Sequence, residues 1–335
     1  MKKVLMITDN FPPTKRGGRA ERLATRVKYS LKSGWVTVVL KIGERTCRYL
    51  YNIGGKKIKV YQVGDPLRRF IAKKIQGQER NNNLSTIRKI YQKILHPLFF
   101  PDPTVRWVIP LVIMGLKIIK KEKIDVMYTM NYPFSLHLVG LILKKVTGIP
   151  WLAEFRDPWA KNTNPIHFNL RGKGLLHKIF ERKTVEVCDK VAFQRNIQMT
   201  KEYFYQTYHD LPREKFYMLP FMGYDSEKFR NLKTKKFKKF TITYGGSLYA
   251  DSFVLENFFK GLKMMMERHN ISSEKLQIIF LGEWKGKYNQ IIKSLNLESV
   301  VKIYGWVPYE KYLEYLMVSD VLLLMIRRFK GDELN

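Results

Sequence analysis

Asp9-Asn10-Phe11-Pro12-Pro13 is followed at short range by the pair Gly17-Gly18, at the start of a stretch with helical periodicity. Two glycines there leave backbone amides and the positive end of the helix dipole open to a phosphate. The competing reading is a turn eased by two residues without side chains. The spacing after the first strand is not Gly-x-Gly-x-x-Gly, so a dinucleotide fingerprint is excluded, and no Gly-Lys-Ser/Thr follows to make a P-loop. The six histidines show no metal-ligand spacing, and Cys47 and Cys188 are too few for a disulfide framework or a thiolate metal site. No His-Glu-x-x-His occurs, and Gly245-Gly246-Ser247-Leu248-Tyr249 is not a Gly-x-Ser-x-Gly elbow. Hydrolase chemistry is thereby disfavoured. His137 lies among the apolar residues Leu136 to Leu143, which fits a packed histidine better than a base.

The elements that must position these residues alternate between short β-rich runs and longer helical stretches, the pattern of a parallel sheet covered on both faces. The fold class is α/β. Strands are expected at Lys3 to Ile7, Val36 to Leu40, Ile58 to Val63, Val126 to Met130, Trp151 to Glu154, Val191 to Phe193 and Phe216 to Leu219. The first helix presents Ala20, Leu23, Ala24, Val27 and Leu31 on one face and stops at Gly34. In such a doubly wound sheet ligands bind beyond the carboxyl ends of the strands, where Asn131 to Ser135 and Arg156 to Trp159 emerge. Asn231 to Lys239 is polar and lysine-rich and reads as a linker between a first domain, 1–230, and a second, 240–335. The alternation then restarts at Phe240 to Tyr244, Leu276 to Leu281, Val301 to Tyr304 and Val321 to Ile326. Only nine residues follow, so the second domain is expected to be incomplete.

Over 335 residues, 61 Lys and Arg against 29 Asp and Glu give a net charge of +32. With 45% hydrophobic and 13% aromatic residues the chain can bury two ordinary cores, which excludes disorder. Only a short apolar run separates Lys2 and Lys3 from Asp9, too little for a secretory signal. Trp107 to Leu116 is too short to span a bilayer, which takes roughly 20 residues. With so few cysteines the expected location is the cytoplasm. Residues 1–233 carry 45 basic and 18 acidic side chains, against 16 and 11 in 234–335, so the first domain is expected to meet the anion. Leu67 to Leu95 is the densest stretch, with Arg68, Arg69, Lys73 and Lys74 interleaved with apolar residues. It fits an anionic membrane surface, or equally a solvated hairpin packed on its own domain.

Phe155-Arg156-Asp157-Pro158-Trp159, the Gly17-Gly18 loop, Leu219-Pro220-Phe221-Met222-Gly223-Tyr224-Asp225, Tyr244-Gly245-Gly246-Ser247-Leu248 and Gly305-Trp306-Val307-Pro308 with Val318-Ser319-Asp320 form a set spread over the whole chain. The set resembles the retaining glycosyltransferases of family 4, which have the GT-B fold of two Rossmann-like domains. The resemblance implies transfer of a sugar from a nucleotide-sugar donor to a saccharide or lipid-linked acceptor in cell-envelope or polysaccharide synthesis. It implies retention at the anomeric carbon, with no cofactor and no essential metal. Gly17 and Gly18 would approach the donor diphosphate, Gly245, Gly246 and Ser247 would line its other side, and Gly305, Trp306 and Val307 would hold the base through backbone contacts. Asp157 stands where many relatives place a histidine at the transferred sugar, and a carboxylate there would stabilise oxocarbenium character; the alternative is an ion pair with Arg156 that orders the loop. Asn131, Arg156 and Trp159 would belong to the acceptor side or its loop, Trp159 either stacking on a sugar or capping the core. Glu154, at a strand end, would face either the interior or the cleft.

Two departures from the family pattern stand out. Ser247 and Asp251-Ser252 occupy the stretch where relatives carry an arginine and a lysine for the diphosphate. The sequence also stops at Asn335, before the two donor-binding glutamates of the family, so truncation, or a second polypeptide completing the C-terminal domain, is the expectation. A truncated, inactive relative acting as a membrane- or polyanion-binding protein is therefore the alternative function. Nucleic acid is ranked last as a partner, since no recognised nucleic-acid module accompanies the charge. The expected placement is cytoplasmic, peripheral at the inner face of the membrane.

Overall fold

The computed structural model describes residues 1–13, 17–66, 99–156, 159–160, 174–194, 201–219, 225–230, 232, 234–246 and 252–325. The chain divides into two compact units, Met1–Gly223 and Tyr224–Asn335.

In the first unit β1 (Lys2–Thr8), α1 (Gly17–Lys32), β2 (Trp35–Gly43), β3 (Cys47–Ile53) and β4 (Lys56–Gly64) are followed by α2 (Val108–Glu122), β5 (Val126–Met130) and α3 (Ser135–Thr147). Then come β6 (Trp151–Phe155), α4 (Gly174–Val187), β7 (Lys190–Gln194), α5 (Lys201–Thr207) and β8 (Phe216–Leu219). The eight strands form one sheet in the order β3-β4-β2-β1-β5-β6-β7-β8. Every pairing is parallel except β3 with β4. Connections leave β1 toward β2 and β4 on one side, and β5 toward β6, β7 and β8 on the other, so the winding reverses between β1 and β5. That reversal is where α/β sheets bind ligands.

The strands are short, mostly apolar and buried on both faces, as a parallel sheet requires. One core layer joins Leu5, Ile7 and Met127 to Leu111, Ile118, Val139, Leu143 and Val185 of α2, α3 and α4. The other joins Met6, Val39 and Val60 to Leu23, Ala24 and Val27 of α1. The apolar face expected for the first helix is buried throughout.

β3 is absent from the sequence-based strand set. Its burial alternates as in an edge strand, with Leu50 54% exposed, so it lacks the apolar run that marks its parallel neighbours. The local signal for it is Gly54-Gly55, both at positive φ in the two-residue turn to β4.

In the second unit α6 (Glu227–Arg230), β9 (Phe240–Gly245), α7 (Ser252–Arg268), β10 (Leu276–Leu281), α8 (Asn289–Ser294), β11 (Val301–Gly305), α9 (Tyr309–Val318) and β12 (Val321–Leu323) build a second parallel sheet, ordered β11-β10-β9-β12. The core joins Tyr244, Ile278 and Phe280 to Leu255, Phe259 and Leu262. Here the winding reverses between β9 and β12. Both units are thus Rossmann-like.

Candidate functional site

At the carboxyl edge of the first sheet the chain leaving β1 is held by groups far away in sequence. Phe11 is fully buried with its ring edge on Tyr51, 5.7 Å between centroids. Lys41 Nζ, at the end of β2, donates to the Phe11 carbonyl at 2.8 Å, and Tyr49 Oη of β3 donates to the Pro12 carbonyl at 2.9 Å. The strand that the sequence hides is therefore part of what shapes this loop.

Within the loop, Asp9 accepts from Arg19 Nη1 of α1 through Oδ2 at 3.1 Å, both side chains being about four-fifths buried. Asp9 Oδ1 and Arg19 Nε are themselves buried with no hydrogen-bond partner. Burial raises the Asp9 carboxyl above its ordinary range against the pull of Arg19, and the Asp102 charge adds to the rise. Gly17 opens α1, so the first turn of that helix lies at the same edge as Asp9.

After β5, Asn131 is fully buried; its N–H donates to the Glu154 carbonyl at 3.0 Å and its Oδ1 accepts from the Arg156 N–H at 2.6 Å. Asn131 thus latches the exit of β6 to the exit of β5 and places Arg156 at the site edge. Tyr132 follows, its hydroxyl pKa pushed up to about 12 by burial and by the Asp102 and Asp9 charges. Asp102 is buried and accepts from Ser135 N at 3.0 Å, Ser135 Oγ at 2.9 Å and Thr104 N at 2.9 Å, pinning the start of α3. Burial raises its pKa against those three bonds.

Beneath the edge, Glu154 is 1% exposed and accepts a bidentate pair from Arg26 of α1, Nη2 to Oε1 at 3.0 Å, while Tyr128 Oη also donates to it. Glu154 faces the interior, so it anchors α1, and with it the Gly17 turn, to β5 and β6.

His137 is buried, Nδ1 lying 2.8 Å from Thr129 Oγ1, which also accepts from Trp151 Nε1 at 2.9 Å. Burial lowers its pKa to about 3, leaving a neutral packed ring, as the sequence indicates. Trp159 is fully buried, stacked on Phe134 with centroids 5.0 Å apart, and its Nε1 donates to His177 Nδ1 at 2.9 Å. Of its two sequence readings, the structure gives the core cap: no face of the ring is left for a sugar.

The second unit's edge is built from backbone instead. β9 ends in Gly245-Gly246, Gly282 follows β10 directly, and β11 ends in Gly305. Gly246 N–H donates to the Leu281 carbonyl at 2.9 Å, and Gly282 N–H to the Gly305 carbonyl at 2.6 Å, so three strand ends are stitched side by side. Gly246, Gly282 and Gly305 have φ of +132°, +112° and +63°. A Cβ on Gly282 would sit 2.3 Å from the Gly246 carbonyl oxygen. Gly245 is small for a packing reason, since a Cβ there would meet the Tyr312 ring at 2.4 Å, whereas Gly246 and Gly305 face open space. Trp306 is 52% exposed beside Gly305, with Val307 half-buried.

Among the sequence-predicted residues, the structure joins Asn131 to Arg156 in one unit, and brings Gly245, Gly246, Gly305 and Trp306 to one sheet edge in the other. Asp157, Ser247, Arg68, Arg69, Lys73 and Lys74 lie outside the described residues. Arg19 and Gly282 were not singled out by the sequence, and Asp9 enters there only as the first residue of the stretch before Gly17-Gly18. The available signal for each was its position directly at a strand exit or in the first turn of a helix. Among the described residues, no group of three or more His, Cys, Asp or Glu is placed to hold a metal ion.

No protein-family model matches the chain, and no curated protein matches its sequence. Solved structures do match its fold. Sucrose-phosphate synthase of Thermosynechococcus elongatus superposes with a TM-score of 0.63 at 11% identity, over 96% of this chain and 75% of that one. The α,α-trehalose 6-phosphate synthase of Burkholderia multivorans gives 0.54 at 11%, over 96% and 77%. Anabaena HepE in complex with UDP and glucose gives 0.53 at 14%, over 96% and 73%. The fold is α/β of the GT-B type.

Proposed function

We propose that this protein is a glycosyltransferase that takes a sugar from a nucleotide-sugar donor and transfers it, with retention, to a saccharide or lipid-linked acceptor. The observation that carries the reading is the pair of glycine strand ends that face open space, Gly246 and Gly305, at one sheet edge. A diphosphate and a base approach a sheet edge closely only where no side chain intervenes. The likeness to GT-B structures, one of them solved with UDP and glucose, supports the same assignment.

In this reading Gly246 and Ser247 line the diphosphate, and Gly305, Trp306 and Val307 hold the base. Asn131 holds Arg156 at its edge, and Asp157, the next residue, stabilises positive character on the transferred sugar. The acceptor hydroxyl enters on the side from which the diphosphate leaves, so the protein's task is alignment and charge stabilisation. The protein works in the cytoplasm, peripheral to a membrane that carries its acceptor.

The test is calorimetric titration of the full chain with UDP, GDP and their glucose and mannose conjugates. Saturable binding of one nucleotide series, lost in Gly305→Val, is the expected result. Absence of binding across both series overturns the reading.

A further inference from the structure

α2, α3 and α4 lie side by side, α2 packing on α3 and α3 on α4, and all three cover one face of the first sheet. A helix layer of this kind normally turns a polar side to water. This one leaves aliphatic side chains outward on every helix: Ile109 (72% exposed) and Ile113 on α2, Ile142 and Val146 (64%) on α3, and Leu175 (71%), Leu176 and Ile179 on α4. α2 and α4 run back from the carboxyl edge of the sheet, since each ends a few residues before its next strand begins. Ile109, Ile113, Leu175, Leu176 and Ile179 therefore lie in the first turns of two helices, at the end of the layer that carries Asn131 and Arg156.

Apart from Glu186, the exposed charges on the same helices are of one sign. Lys117, Lys120 and Lys121 of α2, Lys145 of α3, and Lys178 and Lys183 of α4 are exposed. The acids are accounted for elsewhere. Glu122 is buried and accepts from Lys59 Nζ at 2.6 Å and Tyr61 Oη at 2.7 Å. Glu181 is buried and accepts from Tyr203 and Tyr208, and Glu186 pairs with Arg182 at 2.6 Å.

We infer that the outer face of α2, α3 and α4 is a docking surface for an anionic lipid bilayer. Isolated exposed aliphatics are ordinary, but seven on three adjoining helices are not. The charge pattern chooses the occupant. A second copy of this face would bring lysines against lysines, whereas anionic headgroups neutralise them while Ile109, Ile113, Leu175 and Leu176 enter the boundary between headgroups and acyl chains. Docked this way, the protein presents the carboxyl edge of its first sheet close to the lipid. The proposal deepens the reading above and rests on it only for taking the partner to be a membrane. It needs nothing from Arg68, Arg69, Lys73 or Lys74.

The experiment is co-sedimentation of the full chain with phosphatidylcholine vesicles containing either no phosphatidylglycerol or about a third of it, at low and physiological salt. Binding to the anionic vesicles alone, weakened by salt, is expected. The triple variant Ile109→Ser, Ile113→Ser, Leu175→Ser should lower partitioning at least tenfold. Lys117→Gln with Lys120→Gln should lower it by roughly fivefold per charge removed. All five positions are exposed, and circular dichroism checks that the variants fold. Unchanged partitioning in both variants overturns the proposal, as does a dimer in solution that dissociates in the serine variant and ignores vesicles. Titration with UDP and GDP on the same samples separates the two readings. Intact nucleotide binding without vesicle binding removes this surface and leaves the function, and the reverse outcome does the opposite.

Discussion

The two sheet edges offer a ligand different materials. In the first unit the edge is made of side chains: Asp9 on Arg19, Asn131 holding the Arg156 amide, and Tyr132 beside two carboxyls. In the second it is made of main chain, Gly246, Gly282 and Gly305, with a half-open tryptophan alongside. A backbone edge recognises what is common to a class of ligands, such as a diphosphate, whereas a side-chain edge can be rebuilt one residue at a time. On the proposed function, the second unit is the general half of the enzyme and the first is the half that sets the acceptor.

The same contrast runs below the surface. The first unit hides ionisable groups in its core, Glu154, His137, Asp102 and Glu181 among them, whereas the buried polar residues described in the second are threonines, a glutamine and Asp225. Glu154→Ala should strand the Arg26 guanidinium and cost the first unit about 3 to 5 kcal/mol, read by urea unfolding, with the second unit's transition unmoved. A common shift of both transitions would erase the distinction between the units.

Acid should come next in size. His137 titrates near 6.5 unfolded and about 3 folded, so below pH 6.5 the unfolded chain binds the extra proton and stability falls as pH falls. The raised carboxyls of Asp102 and Glu181 work in the opposite sense, since the folded state holds their protons more tightly. The difference between the wild type and His137→Gln isolates the histidine. It should change by about 1.4 kcal/mol per pH unit between pH 6 and 4, and a difference independent of pH would mean that His137 is charged when folded.

On the other side of the comparison, Gly282→Ala combines a φ of +112° with a Cβ pressed on the Gly246 carbonyl. It should destabilise the second unit by about 2 kcal/mol and weaken the nucleotide binding that the proposed function expects, while leaving the first unit's transition in place. The smallest effect is on turnover: Asp157→Asn should slow transfer about tenfold, worth about 1.4 kcal/mol, with folding intact. Unchanged turnover would take Asp157 out of the chemistry.

Parallel strands are legible because they are apolar runs, and every one expected in the first unit is present. β3 was hidden because an edge strand exposes alternate residues, and only its turn glycines mark it. The Gly245-Gly246 and Gly305 positions were legible as motifs. The partner that stitches them, Gly282, was not, because its role depends on pairing between strands 36 residues apart, Gly246 to Gly282. Glu154 showed the limit plainly: a strand-end carboxylate looks the same in sequence whether it meets a substrate or an arginine 128 residues away.

β3 is the outermost strand of its sheet, and outermost strands invite other chains to add themselves. Here the strand is also a tether, since Tyr49 grips the Pro12 carbonyl. Any partner that peeled it away to extend the sheet would slacken the loop after β1 as well. Aggregation by that route and loss of the loop's shape would then be one event, visible as a single transition.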